Sequence, residues 1–121
     1  MSDASQSGGG PLDPEDEKLV VLARSARARN QAVAGAAVRD ETGRTYAATT
    51  VQLPSLELSA VQAAVAMAVS GGAEALEAAV VVGDEDQAAA ADVAAVGDLR
   101  ADRLLMAAPD GSVHGTVRLE R

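Results

Sequence analysis

Residues 33–82 decide the fold. They run Val33-Ala34-Gly35-Ala36-Ala37-Val38, then Asp40-Glu41-Thr42-Gly43, then Arg44 through Gln52, then Pro54-Ser55. An Ala/Val-rich stretch from Ser59 to Val69 follows, then Gly71-Gly72, and Ala78-Ala79-Val80-Val81-Val82 closes the block. The first run is apolar and of strand length. The second is a turn with glycine in its last place. Arg44 to Gln52, rich in Thr, Val and Tyr, predicts the second strand of a hairpin. Pro54-Ser55 predicts the end of that strand and the start of a helix over 55–70. Val61, Val65, Ala68 and Val69 form its apolar stripe, and Gly71-Gly72 ends it. Ala63, Ala64 and Ala66 make this helix apolar nearly all round. Such a helix is usually buried, here between its own sheet and a neighbouring subunit. The run at 78–82 reads as a central strand covered on both faces.

Outward from this block, the flanks complete an alternating pattern. Asp13 suits a helix N-cap, Pro14 the first helical position, and Glu15 and Asp16 the positive helix end. Leu19, Leu22, Ala23 and Ala26 recur at helical spacing, which predicts a helix over about 13–29. Arg24, Arg27 and Arg29 fall late in it and read as a solvated face that favours the helix C-terminus. On the other side, Asp84-Glu85-Asp86 leads into an alanine-rich helix at about 86–96. Arg103-Leu104-Leu105-Met106-Ala107 reads as a strand, Pro109-Asp110-Gly111 as a tight turn, and Val113 to Leu119 as a closing strand. The order α-β-β-α-β-α-β-β predicts an α/β fold, with helices on both faces of a five-stranded mixed sheet. No internal repeat is present. Residues 1–11, rich in Ser, Gly and Asp, read as a disordered tail, and 12–121 as one domain.

Composition narrows the function classes. Among 121 residues there is no Cys, no Trp and no Phe, and only one His and one Tyr. No cysteine means no disulfide framework, no thiolate zinc site and no cysteine nucleophile. One histidine excludes an intramolecular two-His metal site. Eighteen Asp and Glu stand against ten Lys and Arg, a net charge of −8, which argues against nucleic acid as a partner. The N-terminus has no basic region followed by an apolar one, so no secretory signal is expected. No apolar run is long enough to span a bilayer, and a cytoplasmic location is the default. Apolar residues make up 48% of the chain but aromatic ones only 1%. An alanine-dominated core buries little area per residue, so a homo-oligomer, dimer or tetramer, is expected.

Four words carry a resemblance: Gly35-Ala36-Ala37-Val38, Thr42-Gly43-Arg44-Thr45-Tyr46, Ser59-Ala60-Val61-Gln62-Ala63-Ala64-Val65, and Ala78-Ala79-Val80-Val81-Val82. With the element order and the Pro109-Asp110-Gly111 turn, the chain resembles the cytidine deaminase family in its small single-domain form, over most of residues 13–119. The resemblance implies a three-layer α-β-α sandwich. It also implies zinc, held by one His or Cys from one helix and two Cys from the next, with a Glu close after the first ligand shuttling protons. At those places this chain departs from the pattern. The first ligand falls on Ser59 and the proton shuttle on Val61. The Pro-Cys-x-x-Cys segment falls near Gln87 to Asp92, which reads Gln87-Ala88-Ala89-Ala90-Ala91-Asp92. The Asn-x-Glu pair that holds the ribose falls on Thr50 and Gln52 if a two-residue deletion follows it, and the base-packing aromatic on Ala32.

A neutral serine is a poor zinc ligand and a valine transfers no proton. No catalytic residue and no metal ligand is therefore assigned. The expected cofactor is none, with the family's zinc absent. Three functions follow in order. The first is an inactive, self-associating or partner-binding scaffold. The second is a nucleoside or metabolite-binding module that keeps the old cleft, lined by Thr50, Gln52 and Ser59. The third is a deaminase with unusual ligands. Other candidates read blandly. Asp84-Glu85-Asp86 is charge at a helix start rather than a cation site. His114 is a half-exposed strand residue rather than a base. Ser59 lacks a neighbouring base or a nucleophile elbow. Met67 and Met106 are core fillers.

Overall fold

A computed structural model describes residues 12–119; the tail expected over 1–11 lies outside the described residues. Helix α1 spans Pro14–Asn30. It is followed by strands β1 (Gly35–Asp40), β2 (Thr45–Thr49), β3 (Val51–Leu53) and β4 (Leu56–Leu58), and by helix α2 (Ala60–Ser70). Strand β5 (Leu76–Val82), helix α3 (Ala90–Asp98) and strands β6 (Arg103–Ala107) and β7 (Val113–Arg118) complete the order. Five strands form one sheet in the order β2-β1-β5-β6-β7. Only β5 and β6 run parallel; the other neighbours are antiparallel. A parallel neighbour cannot be reached by a tight turn, so the chain crosses over through α3. Among the described residues no helix is long and apolar enough to cross a membrane.

The pleat of each strand sends alternate side chains to opposite faces, and two cores result. On one face, Leu19, Val20 and Ala23 of α1 pack on Ala37, Val80, Val82 and Leu105. On the other, Val61, Ala64 and Ala68 of α2 and Val96 of α3 pack on Ala36, Val38, Ala79 and Leu104. The expected α/β sandwich, a five-stranded mixed sheet with helices on both sides, is therefore observed. Small residues let the layers approach closely. A Cβ on Gly35 would stand 2.2 Å from the Ala23 carbonyl oxygen of α1, so only glycine fits there.

The elements depart from expectation in four places. The strand expected over 44–52 stops at Thr49. Val51–Leu53 instead turns through Pro54-Ser55 and pairs with Leu56–Leu58, in a separate two-stranded ribbon. Pro54-Ser55 is thus a hairpin turn, and the helix starts later, at Ala60. Its inward face is Val61, Ala64 and Ala68, while Met67 and Val69 are 48% and 51% exposed. Met67 is therefore not a core filler, whereas Met106 is buried. In α1, Leu22 lies at the exposed edge, and Asp16 and Val20 take buried places instead. Asp16 is matched by Arg39, 3.1 Å away, and by Arg103, so a first-turn acid proves to be the centre of an ion-pair cluster. Helix α3 begins at Ala90, so Asp84-Glu85-Asp86 lies in the preceding loop rather than at the helix start. His114 is exposed on β7.

The turn after β1 is held by a buried carboxylate. Asp40 accepts hydrogen bonds from Thr42 N (2.9 Å), Thr42 Oγ1 (2.7 Å), Arg44 N (3.0 Å) and Tyr46 Oη (2.9 Å). Burial pushes this carboxyl up, but the four donors outweigh it and hold the pKa at about 2. Gly43 closes the turn at φ 90, where a side chain would be strained.

Candidate functional site at the meeting of two helix starts

The β3–β4 ribbon delivers the chain to Ser59, which caps α2. Ser59 Oγ accepts the Gln62 N–H at 3.0 Å, and Gln62 Oε1 accepts the Ser59 N–H at 2.9 Å. This reciprocal capping box explains why the helix starts here rather than at Pro54. Helix α3 has Ala89 as its N-cap, which offers no side-chain cap, and Asp92 sits in its first turn. The two helix starts converge beyond the C-terminal ends of β5 and β6. In open α/β sheets that is the usual position of a ligand crevice.

There the Ser59 hydroxyl donates to Asp92 Oδ1 at 2.5 Å. Asp92 is 9% exposed. Both residues line a cavity of about 460 Å³ with Thr50, Ala89, Val81 and Met106. That volume lies within the range of small-molecule sites. The walls are largely apolar, and Asp84 and Glu85 also border the space.

The hydrogen-bond inventory fixes what the floor offers. Ser59 has one proton, and it goes to Asp92. Its lone pair receives the Gln62 N–H. Asp92 Oδ2 accepts no hydrogen bond among the described residues and is not sealed from solvent. Thr50 Oγ1 makes a long contact, 3.5 Å, to the Ala34 carbonyl. The floor thus offers the second oxygen of Asp92 as an acceptor, and at the border the Gln87 amide can both donate and accept. As a nucleophile Ser59 has only a carboxylate for a base, without the imidazole that serves that role best. Among the described residues, no three His, Cys, Asp or Glu side chains stand close enough to hold a metal ion.

The residues expected to line one cleft are divided. Thr50 and Ser59 border the cavity. Gln52 does not; it borders an adjoining hollow of about 270 Å³ with Ala32, Asn30 and Thr49. Thr50 and Val33 touch both spaces. The reason is the ribbon: the chain leaves the sheet after Thr49 and carries Gln52 away from the crevice. Val61 is fully buried in the core and faces α3 and the sheet. Sequence reading places Asp92 in the right segment but misses it as the partner of Ser59. The available signal was an acid three residues after Ala89 in an otherwise apolar helix start.

Residues 12–111 match a family model described as cytidine deaminase-like. No curated protein matches the chain. Among solved structures, it is similar to the cytidine deaminase from Burkholderia pseudomallei, at 20% identity and a TM-score of 0.71, over 84% of this chain and 90% of that one. It is similar to the cytidine deaminase from Mycobacterium leprae, at 21% identity and a TM-score of 0.64, over 85% and 94%. A mutant cytidine deaminase from Mycobacterium tuberculosis matches at 25% identity and a TM-score of 0.63, over 79% and 85%.

Proposed function

The chain belongs to the cytidine deaminase-like family, and we propose that it is a member which performs no zinc-dependent deamination and acts by self-association or by binding a protein partner. The observation that carries the first half is the Ser59–Asp92 hydrogen bond, 2.5 Å long. The family resemblance puts its first metal ligand at Ser59 and its ligand pair in the segment that ends at Asp92. Three protein ligands and an open position are what a catalytic zinc site needs. Ser59, Ala89 and Asp92 supply a neutral hydroxyl, a methyl group and one carboxylate, so they do not fit the metal. Val61 stands at the proton-shuttle position and is an apolar core residue.

The test is elemental analysis of the purified chain together with ammonia release from cytidine. The expected result is zinc far below one per chain and no ammonia. Stoichiometric zinc with turnover of cytidine overturns the reading.

Support for association comes from apolar surface. Leu53 and Leu56 of the β3–β4 ribbon and Met67 and Val69 of α2 are each about half exposed. A second copy or a protein partner that covered them would add the apolar area a small alanine-rich core lacks. Sedimentation at micromolar concentration is expected to give a dimer or tetramer, and monomer alone would count against self-association. The negative net charge excludes nucleic acid from the proposed partners, and the cytoplasm is the proposed location.

A second reading is favoured by one observation, the open 460 Å³ cavity. A module that binds a nucleoside or related metabolite would use it, with Thr50 and Ser59 among its walls.

A further inference from the structure

Resting on that second reading, we propose that the cavity between the starts of α2 and α3 takes a small organic cation whose N–H groups donate to Asp92. The chemistry of the walls points this way. The charged side chains that line the cavity are Asp84, Glu85 and Asp92, and no Lys, Arg or His lines it. Asp92 is about nine-tenths buried, yet has one hydrogen-bond partner. A carboxylate this far buried is stabilised by any donor that reaches its second oxygen, and Asp92 lines the cavity from which a ligand would approach. Ser59 cannot be that donor twice, because its single proton is already placed.

The competing ligand classes fail on the same inventory. A metal ion needs several converging ligands, and the three acids do not converge into such a group. An anion such as a phosphate would meet three carboxylates. The positive ends of α2 and α3, about half a charge each, do not outweigh them. Asp84 is partly answered by Arg27, 3.8 Å away at the rim, while Asp92 has no cationic partner among the described residues. An apolar body remains necessary, since Val81, Ala89 and Met106 form walls rather than hydrogen-bonding groups. A planar amidinium on a hydrocarbon ring meets these demands, because its paired N–H groups suit a carboxylate.

The experiment is calorimetric titration of the full chain with benzamidine, benzamide, benzoate and cytidine. Benzamidine is expected to bind at least tenfold more tightly than benzamide, and benzoate not at all. Asp92→Asn should weaken benzamidine at least tenfold. Ala89→Leu, at an exposed position on the cavity rim, should block it and leave the circular dichroism spectrum unchanged; it decides the matter should the first variant fold poorly. Benzoate binding as well as benzamidine, or benzamidine unaffected by either variant, overturns the proposal. Cytidine binding without a preference for the cation overturns the proposal and leaves the cleft reading standing. No response to any probe at millimolar concentration removes both.

Discussion

Two buried aspartates in this chain sit in opposite circumstances. Asp40 closes the turn after β1, is fully buried, and accepts four hydrogen bonds from Thr42, Arg44 and Tyr46. Asp92 lies in the first turn of α3, is nearly as buried, and accepts one, from Ser59. The donors around Asp40 lie within six residues of it, so the turn is a closed local unit. The single donor to Asp92 comes from the start of another helix, and Asp92 lines a cavity. Burial alone therefore does not separate a structural acid from one that is available. The count of satisfied acceptor positions does. A carboxylate that folding has used up belongs to stability, and one that folding leaves half used belongs to a site.

The largest effect expected from this contrast is a gain of metal binding at the half-used site. Ser59, Ala89 and Asp92 line one cavity, and the last two keep the spacing of a Cys-x-x-Cys pair. The combined variant Ser59→Cys, Ala89→Cys and Asp92→Cys loses the Ser59 cap of α2 and the Ser59–Asp92 hydrogen bond, so its fold is checked by circular dichroism first. It should take one zinc per chain where the parent takes none, with cobalt giving the absorption bands of tetrahedral thiolate coordination. A folded triple variant that binds no metal would break the correspondence between these residues and the family's ligand positions.

Next in size is loss of the fully used acid. Asp40→Ala strands two backbone and two side-chain donors in a buried turn. It should destabilise the fold by about 3 kcal/mol, given a cost of about 1–3 kcal/mol for each buried group left unpaired and partial relief by water. Denaturant unfolding measures it. The same acid gives a pH signature. Its folded pKa of about 2 lies below the ordinary aspartate value of about 4. The unfolded chain therefore binds the proton more readily. The stabilisation is fully present above about pH 4 and is lost as pH falls through 2. The stability gap between the parent and Asp40→Asn should narrow over that interval. A gap that stays constant from pH 5 to 2 would show that the hydrogen bonds do not hold the charged form. Tyr46→Phe removes one of the four donors and should cost about 1 kcal/mol.

The contrast also explains how much of the molecule the sequence makes legible. Strand β6 is readable to the residue, because Arg103-Leu104-Leu105-Met106-Ala107 is a short apolar run between a polar loop and a turn. The alternating order of helices and strands carries the sandwich in the same way. The β3–β4 ribbon is misread because Pro54-Ser55 serves equally as a helix start and as a hairpin turn. The alternation Leu56-Glu57-Leu58 and the cap at Ser59 decide between them. The buried acids are legible only in part. The donors to Asp40 sit in its own turn, so local sequence contains them. The partners of Asp16 are Arg39 and Arg103, distant in sequence, and the first-turn position suggests only a dipole effect. Asp92 is hidden for the same reason: its partner lies on another helix, and only the folded chain brings the two together. Gln52 errs in the opposite sense, placed in the cleft by motif order and taken out of it by the ribbon.

The smallest effect is expected at Asp92 itself, and its smallness is the point. In Asp92→Asn the side-chain carbonyl can still accept the Ser59 hydroxyl proton. What is lost is charge at the start of α3, worth about 0.3–1 kcal/mol at a helix N-terminus, and the strengthening of one hydrogen bond by that charge. Against this stands the relief of a buried carboxylate with an unused oxygen, which favours the variant. The two contributions oppose each other, so the net change in unfolding free energy should stay within about 1 kcal/mol of the parent. Asp40→Asn differs, because the amide keeps an acceptor at Oδ1 but loses the charge that strengthens the three hydrogen bonds there, and its N–H₂ replaces the oxygen to which Tyr46 Oη now donates, so that hydroxyl must turn to accept. Asp92→Asn costing as much as Asp40→Asn in the same denaturant series would mean that Asp92 is a structural acid, and the cavity would lose its recognition group. A near-neutral Asp92→Asn beside a damaging Asp40→Asn leaves Asp92 as a carboxylate that folding tolerates rather than needs.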